Sequence, residues 1–353
     1  MYPKLFTFDP VTIERARMVT LKSPNLDVLP ASIRADMPGI AHFLESGFKA
    51  RDADRKLFLP DLSALHNSTI GIFSDYGGEE KSARYATYSF MICAFGSLGP
   101  FKEKMAELRT ARSLGHKEIA FKDFRMGHLQ RFLPDYLQLA DRYVLGMIFT
   151  LAVDRTIPSL FGPGGPETNR IAKAALEQVG YLDVPTKVAE KLFRIVHTIA
   201  FLVALLGHTG QKIFWMTDND AIGATPERHT LLLKVLDAVL PLYTTKTFAM
   251  LGGARPFEPK EPEYLDLLSF ADITAGSLSQ LLGSMDTLGP DKAEIKEGGN
   301  DVLRWLCHDS TTLKKICFTV KRDAAGTVCS GPVNFEAKTP VPNEIFLPSQ
   351  LLR

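Results

Sequence analysis

Two short apolar runs that each end on an aspartate set the pattern of the chain. The first is Ile70-Gly71-Ile72-Phe73-Ser74-Asp75, followed by Tyr76 and a glycine pair; the second is Lys212-Ile213-Phe214-Trp215-Met216-Thr217-Asp218. Such runs predict strands covered on both faces, as in the middle of a sheet with helices on either side. Residues 84–95, rich in aromatic and β-branched side chains, predict a strand paired with the first through the glycine loop. Further strands are predicted at 143–153 and 244–250. A hairpin of 315–321 with 327–335 is predicted around Asp323-Ala324-Ala325-Gly326.

Helical spacing predicts the layers around the strands. Short helices are expected at 11–20 and 31–48, and longer ones at 101–113, closed by Gly115, and 126–140. Val188, Leu192, Ile195, Ile199 and Leu202 mark a helix over 183–206, and Thr225-Pro226 opens another that carries Leu232, Val235 and Val239. A helix over 262–283 has Leu265, Leu268, Ala275 and Leu282 as its apolar stripe, and a short one is expected at 302–307. The stretch Phe161-Gly162-Pro163-Gly164-Gly165-Pro166 predicts a loop. No Gly-Lys-Ser/Thr follows it, so it is not a P-loop, and its prolines count against a helix start. The predicted class is α/β, with an N-terminal extension (1–66), a core (67–284) and a C-terminal helix and hairpin extension (285–353). The N-terminal segment is expected to pack on the core or on a partner, and the two extensions are where a second copy or a protein partner would dock.

Composition narrows the function classes only slightly. Apolar residues make up 45% and charged ones 23% of 353 residues, and the net charge is +1, so any surface for nucleic acid has to be a local patch. Cys93, Cys307, Cys317 and Cys329 form no C-x-x-C pair; reduced thiols are expected rather than a zinc site with His308. No apolar segment follows Met1-Tyr2-Pro3-Lys4, and the longest apolar run, 199–206, is far short of the ~20 residues of a membrane span. A cytoplasmic protein without a membrane segment is expected.

Candidate chemistry lies in the acids. Singly, Asp75 and Asp218 read as residues that stop a strand and start a turn. At the carboxyl ends of two buried strands, however, they stand where open α/β sheets bind ligands. Asp272 falls on the apolar stripe of its helix, beside the small residues Ala271, Ala275 and Gly276. A charge on a face that should be buried marks either a functional group or a carboxylate capping a nearby backbone turn. His197, inside an apolar helix, reads as a packed core histidine.

The order strand–Asp75, hairpin, Glu118, strand–Asp218 and helix–Asp272 resembles the ribonuclease H-like superfamily, whose acids run Asp, Glu, Asp, Asp. Within it the chain is similar to an uncharacterised prokaryotic family with an Asp-Glu-Ser-Gly first strand, a Glu-x-Lys element, an Asp-ending middle strand and a Leu-x-x-Ala-Asp helix. The matching residues are Ser74-Asp75-Tyr76-Gly77-Gly78, Glu118 with Lys122, Trp215-Met216-Thr217-Asp218, and Leu268-Ser269-Phe270-Ala271-Asp272-Ile273-Thr274-Ala275-Gly276. The likeness spans about residues 68–284. Tyr76 stands where that family has Glu, and Glu118 and Lys122 are four residues apart instead of two, so Glu79 or Asp220 are alternatives to Glu118. The resemblance implies a ribonuclease H-like mixed sheet and a metal-dependent phosphodiesterase acting on RNA or DNA. Its two Mg²⁺ or Mn²⁺ ions would be bridged by Asp75, one completed by Asp218 and Glu118 and the other by Asp272, with Lys122 on a phosphate oxygen. A catalytically inactive binding or scaffolding protein with the same fold is the alternative.

Overall fold

The computed structural model of the chain describes residues 10–335, apart from 116, 163, 183, 257, 259–261 and 308. Seven strands form one mixed sheet: β1 (Thr69–Gly77), β2 (Tyr85–Ala94), β3 (Gly146–Asp154), β4 (Lys212–Thr217), β5 (Met250–Ala254), β6 (Leu313–Arg322) and β7 (Val328–Pro332). Their spatial order is β5-β4-β1-β2-β3-β6-β7. β1 pairs antiparallel with β2 on one side and parallel with β4 on the other; β5 continues parallel to β4. β3 is antiparallel to β2 and parallel to β6, and β7 folds back on β6 as a hairpin.

Alternation along the strands sorts side chains into two apolar layers. Ile70, Ile72, Phe90, Ile92, Phe149, Trp215 and Phe318 enter one layer, beneath α2 (Gly39–Ala53), α6 (Thr186–Leu206) and α7 (Pro226–Val239). Phe73, Met91, Ile148, Met216 and Cys317 enter the other, beneath α3 (Gly99–Ala111), α4 (Gly127–Tyr143), α8 (Pro262–Leu288) and α9 (Gly299–Trp305). Helices thus cover both faces, the arrangement that continuous apolar strands require. The amino-terminal part belongs to this core: Phe48 of α2 stacks on Phe149 and Phe201, at 5.7 and 5.6 Å between centroids, and meets Phe318 edge-on. No helix among the described residues is long and apolar enough to cross a membrane.

Four sequence expectations need correction. The helix expected over 31–48 begins at Gly39, because Pro38 forces Met37 into extended backbone (φ −70°, ψ 141°). The 161–166 loop does not exclude a helix: α5 (Pro166–Gln178) starts on Pro166, where a missing amide costs nothing. Residues 244–249 are not a strand. Lys246 donates to the Ala204 and Gly207 carbonyls there, and pairing with β4 begins only at Met250. Finally, α8 runs through Gly283 to Leu288, and Gly289, at φ +85°, is the glycine that ends it. The expected hairpin at 323–326 is present, closed by the Gly326 amide donating to Asp323.

Candidate active site

Strand alternation decides which way each acid points. In β1, Phe73 enters the α8 layer while Ile72 enters the α6 layer, so Asp75 falls on the α8 side. In β4, Trp215 belongs to the α6 layer and Met216 to the α8 layer, which carries Asp218 to the same side as Asp75. Ser74 stands beside Thr217 across the parallel pair, and the Asp218 amide donates to the Ser74 carbonyl at 3.0 Å. The two aspartates therefore emerge next to each other at the carboxyl ends of adjacent parallel strands.

Helix α8 brings the third. It lies across the ends of β1 and β2, where Thr87 Oγ1 donates to the Ala275 carbonyl and Ser279 Oγ to the Tyr85 carbonyl, both at 2.9 Å. Close approach needs glycine: a Cβ on Gly77 would sit 3.1 Å from the Ala275 carbonyl, and Gly78 adopts φ +71°. Asp272, three residues before Ala275, projects toward the same strand ends. One of its oxygens, Oδ2, accepts from the Phe121 amide at 2.7 Å, so this carboxylate does cap a backbone turn, residues Phe121–Asp123. Gly276 admits the neighbouring ring, for a Cβ there would stand 2.3 Å from Phe121, and the Lys296 ammonium covers that ring at 4.6 Å. These contacts dock the segment bearing Glu118 and Lys122 on α8.

The electrostatics follow from this crowding. Asp75 is 8% exposed; burial first, then the charges of Asp272 and Asp218, hold its carboxyl well above the usual range against one opposing bond, the Tyr76 amide donating to Oδ1 at 2.6 Å. Burial also raises Asp272, to about 6, with Glu118 and Asp218 adding to it against the Phe121 amide. Asp218 is raised by burial and by Asp220, and Glu118 by burial and Asp218 against the pull of Lys122. Among the described residues the only cation within ion-pair distance of the four acids is Lys122, whose exposed ammonium is 4.0 Å from Glu118. Asp75, Asp218, Asp272 and Glu118 thus share one negative region whose charge the chain itself leaves largely uncompensated. No three His, Cys, Asp or Glu side chains among the described residues stand close enough to hold one metal ion together. Asp75 and Asp272 each direct one oxygen to a backbone amide instead.

The two alternative acids are engaged elsewhere. Lys191 of α6 bonds both Glu79 and Asp220, and Asp220 Oδ1 also accepts from the Ile222 amide at 3.0 Å. Tyr76 points away from the acids, into the opposite layer. Its hydroxyl lies 2.9 Å from Ser74 Oγ and 2.7 Å from Thr217 Oγ1, which ties β1 to β4, and Lys191 lies over its ring at 4.5 Å. The departure from Glu at this position therefore removes nothing from the acid cluster. Lys191 itself gave no sequence signal beyond being polar in an apolar helix. The thiols of Cys93 and Cys317 are free and buried, their pKa pushed up to about 12 by burial; His308 lies outside the described residues. His197 is a packed core residue, its Nδ1 2.7 Å from the Tyr243 hydroxyl. The chain matches no protein-family model and no curated protein sequence, so the chemistry rests on these residues alone.

Proposed function

We propose that the protein hydrolyses phosphodiester bonds of RNA or DNA with two divalent cations, Mg²⁺ or Mn²⁺, held by Asp75, Glu118, Asp218 and Asp272. The observation that carries this reading is the uncompensated charge: four carboxyl groups from two strand ends, a loop and a helix share one region, burial raises all four, and repulsion from others of the set adds to it in Asp75, Glu118 and Asp272. Hard oxygen donors in such number suit hard divalent ions, and a cation would relieve the repulsion. When bound, the ions would activate the attacking water and take up charge on the leaving oxygen. Asp75, on the inner strand, stands beside Asp218 at the neighbouring strand end and feels the charges of Asp272 and Asp218. Lys122, mostly exposed at the rim and at the 4.0 Å limit of an ion pair with Glu118, can swing its ammonium to a phosphate oxygen. The mixed sheet supports the ribonuclease H-like reading, because β1 lies antiparallel to β2 and parallel to β4 and so sets the first and third acids of the motif at neighbouring strand ends.

A binding or scaffolding protein without catalysis is the second reading. The Phe121 cap on Asp272 favours it, since that bond gives the carboxylate a structural use. A cleavage assay with Mn²⁺ on mixed single- and double-stranded RNA and DNA decides between them, with Asp75→Asn/Asp218→Asn as control. Activity in the wild type that the double variant loses supports the nuclease. Absence of cleavage, together with no thermal shift at millimolar metal, leaves the scaffold.

A further inference from the structure

On the sheet face away from the acids, a cavity of about 700 Å³ opens between α2, α5 and α6. Phe43, Phe161, Phe193 and Ala172 line it, and its charged lining residues are the acids Asp36 and Glu167, with no lysine or arginine among those described. The hydroxyls of Ser159 and Thr168 also lie in the wall, Ser159 Oγ donating to Glu190 at 3.0 Å, and His197 brings an imidazole to it. His197 is 6% exposed, its ring 5.2 Å from that of Phe161 and 6.0 Å from that of Phe193.

The tautomer of this histidine follows from its partner. Nδ1 lies 2.7 Å from the buried Tyr243 hydroxyl, which has no other hydrogen-bond partner among the described residues. If Nδ1 donated, the phenolic proton would be buried without an acceptor, its desolvation unrepaid. The hydroxyl therefore donates and Nδ1 accepts. Burial pushes the imidazole pKa down to about 3, so the ring is neutral and its one proton sits on Nε2. Nε2 makes no hydrogen bond among the described residues, and it is not sealed from the surface. An unpaired N–H donor at the wall of a mostly apolar pocket, its ring fixed by a second hydrogen bond, is how pockets orient one oxygen of a ligand.

We propose that this cavity binds a small, uncharged, apolar molecule with a carbonyl or similar acceptor oxygen, which takes the Nε2–H of His197. The aromatic walls accept the body of such a ligand. Glu167 is already paired with Arg170 and no lysine or arginine is itself a lining residue, so the wall offers a carboxylate no partner and disfavours it. The site is independent of the acid cluster, which lies beyond the sheet.

The test is a fluorescence titration of the full chain with Nile red, a neutral dye that carries a carbonyl. Saturable binding to one site is expected, unaffected by Mg²⁺ or by Asp75→Asn. Ala172→Trp, which fills the cavity, should weaken it at least tenfold; Ala175→Trp, from the exposed rim, serves the same purpose should the first variant misfold. The pair His197→Phe/Tyr243→Phe removes donor and acceptor together, so no orphan is left, and should weaken binding three- to tenfold. Dodecanoate should not compete. Non-saturable uptake, or saturable uptake that both tryptophan variants leave unchanged, overturns the site; an unchanged affinity in the histidine–tyrosine pair overturns the role of Nε2–H.

Discussion

Asparagine at position 272 separates two uses of one side chain. Its Oδ1 can still accept the Phe121 amide, so the cap remains, but the charge is gone. In the folded chain the Asp272 carboxyl titrates at about 6, against 3.8 for the ordinary group, because burial and the neighbouring acids oppose ionisation. A folded pKa raised above the unfolded one means that the native state holds the proton more tightly. This contribution to stability is complete below pH ~4, falls as pH rises toward ~6 and stays lost above it. The difference of about two pH units corresponds to roughly 3 kcal/mol at neutral pH. For a chain of 353 residues, unfolding entropy of about 2 cal/mol/K per residue converts that to about 4 °C. Asp272→Asn should therefore raise Tm by about 2–4 °C in EDTA at pH 7.5, and the gap should close toward pH 4. With millimolar Mg²⁺ the order should reverse, since only the wild type gains the ion. Thermal unfolding followed by circular dichroism across pH 4–8, with and without metal, measures all of this. A variant less stable than wild type in EDTA at pH 7.5 would refute the reasoning, because it would show that the charged cap outweighs the repulsion.

Three further outcomes are expected. Lys191→Met leaves Glu79 and Asp220 without their shared cation and should lower stability by about 1–2 kcal/mol, since Lys191 and Asp220 are partly buried and Glu79 is exposed; denaturant titration reads it. Gly276→Ala forces Phe121 off α8, should cost about 1–3 kcal/mol, and should weaken Mg²⁺ affinity by displacing the Glu118 segment, which calorimetric titration would report. Tyr76→Phe removes the hydroxyl between Ser74 and Thr217 for about 1 kcal/mol and should leave Mg²⁺ affinity unchanged; a large loss of metal binding would show that the tyrosine matters to the acid side.

What the sequence revealed follows from how local each signal is. β1, β4 and α6 were legible because their apolar runs and spacing continue over whole elements, and Thr225-Pro226 marked the start of α7 by chemistry at two adjacent positions. β5 was misplaced because Met-Leu-Gly-Gly-Ala has little strand character; Gly253 is there because a Cβ would come 2.3 Å from the Trp215 carbonyl, a fact of the neighbouring strand. α5 was hidden by prolines that open helices as readily as they break them. Asp272 could be singled out from its place on an apolar stripe, but its bond to Phe121 spans 151 residues and nothing in the local pattern announces it. Lys191 was invisible for the same reason, since both its partners lie in other elements.

The pleat of β1 also limits how the chain can change in length. Deleting one residue between Thr69 and Ser74 while the strand stays anchored at its start would turn every later side chain through half a revolution. A carboxylate would then be driven into hydrocarbon beneath α6, and an aromatic ring would replace it among the acids. Insertions and deletions here should be far more damaging than substitutions, whereas the hairpin turn at 323–326, remote from the acids, should accept added residues freely.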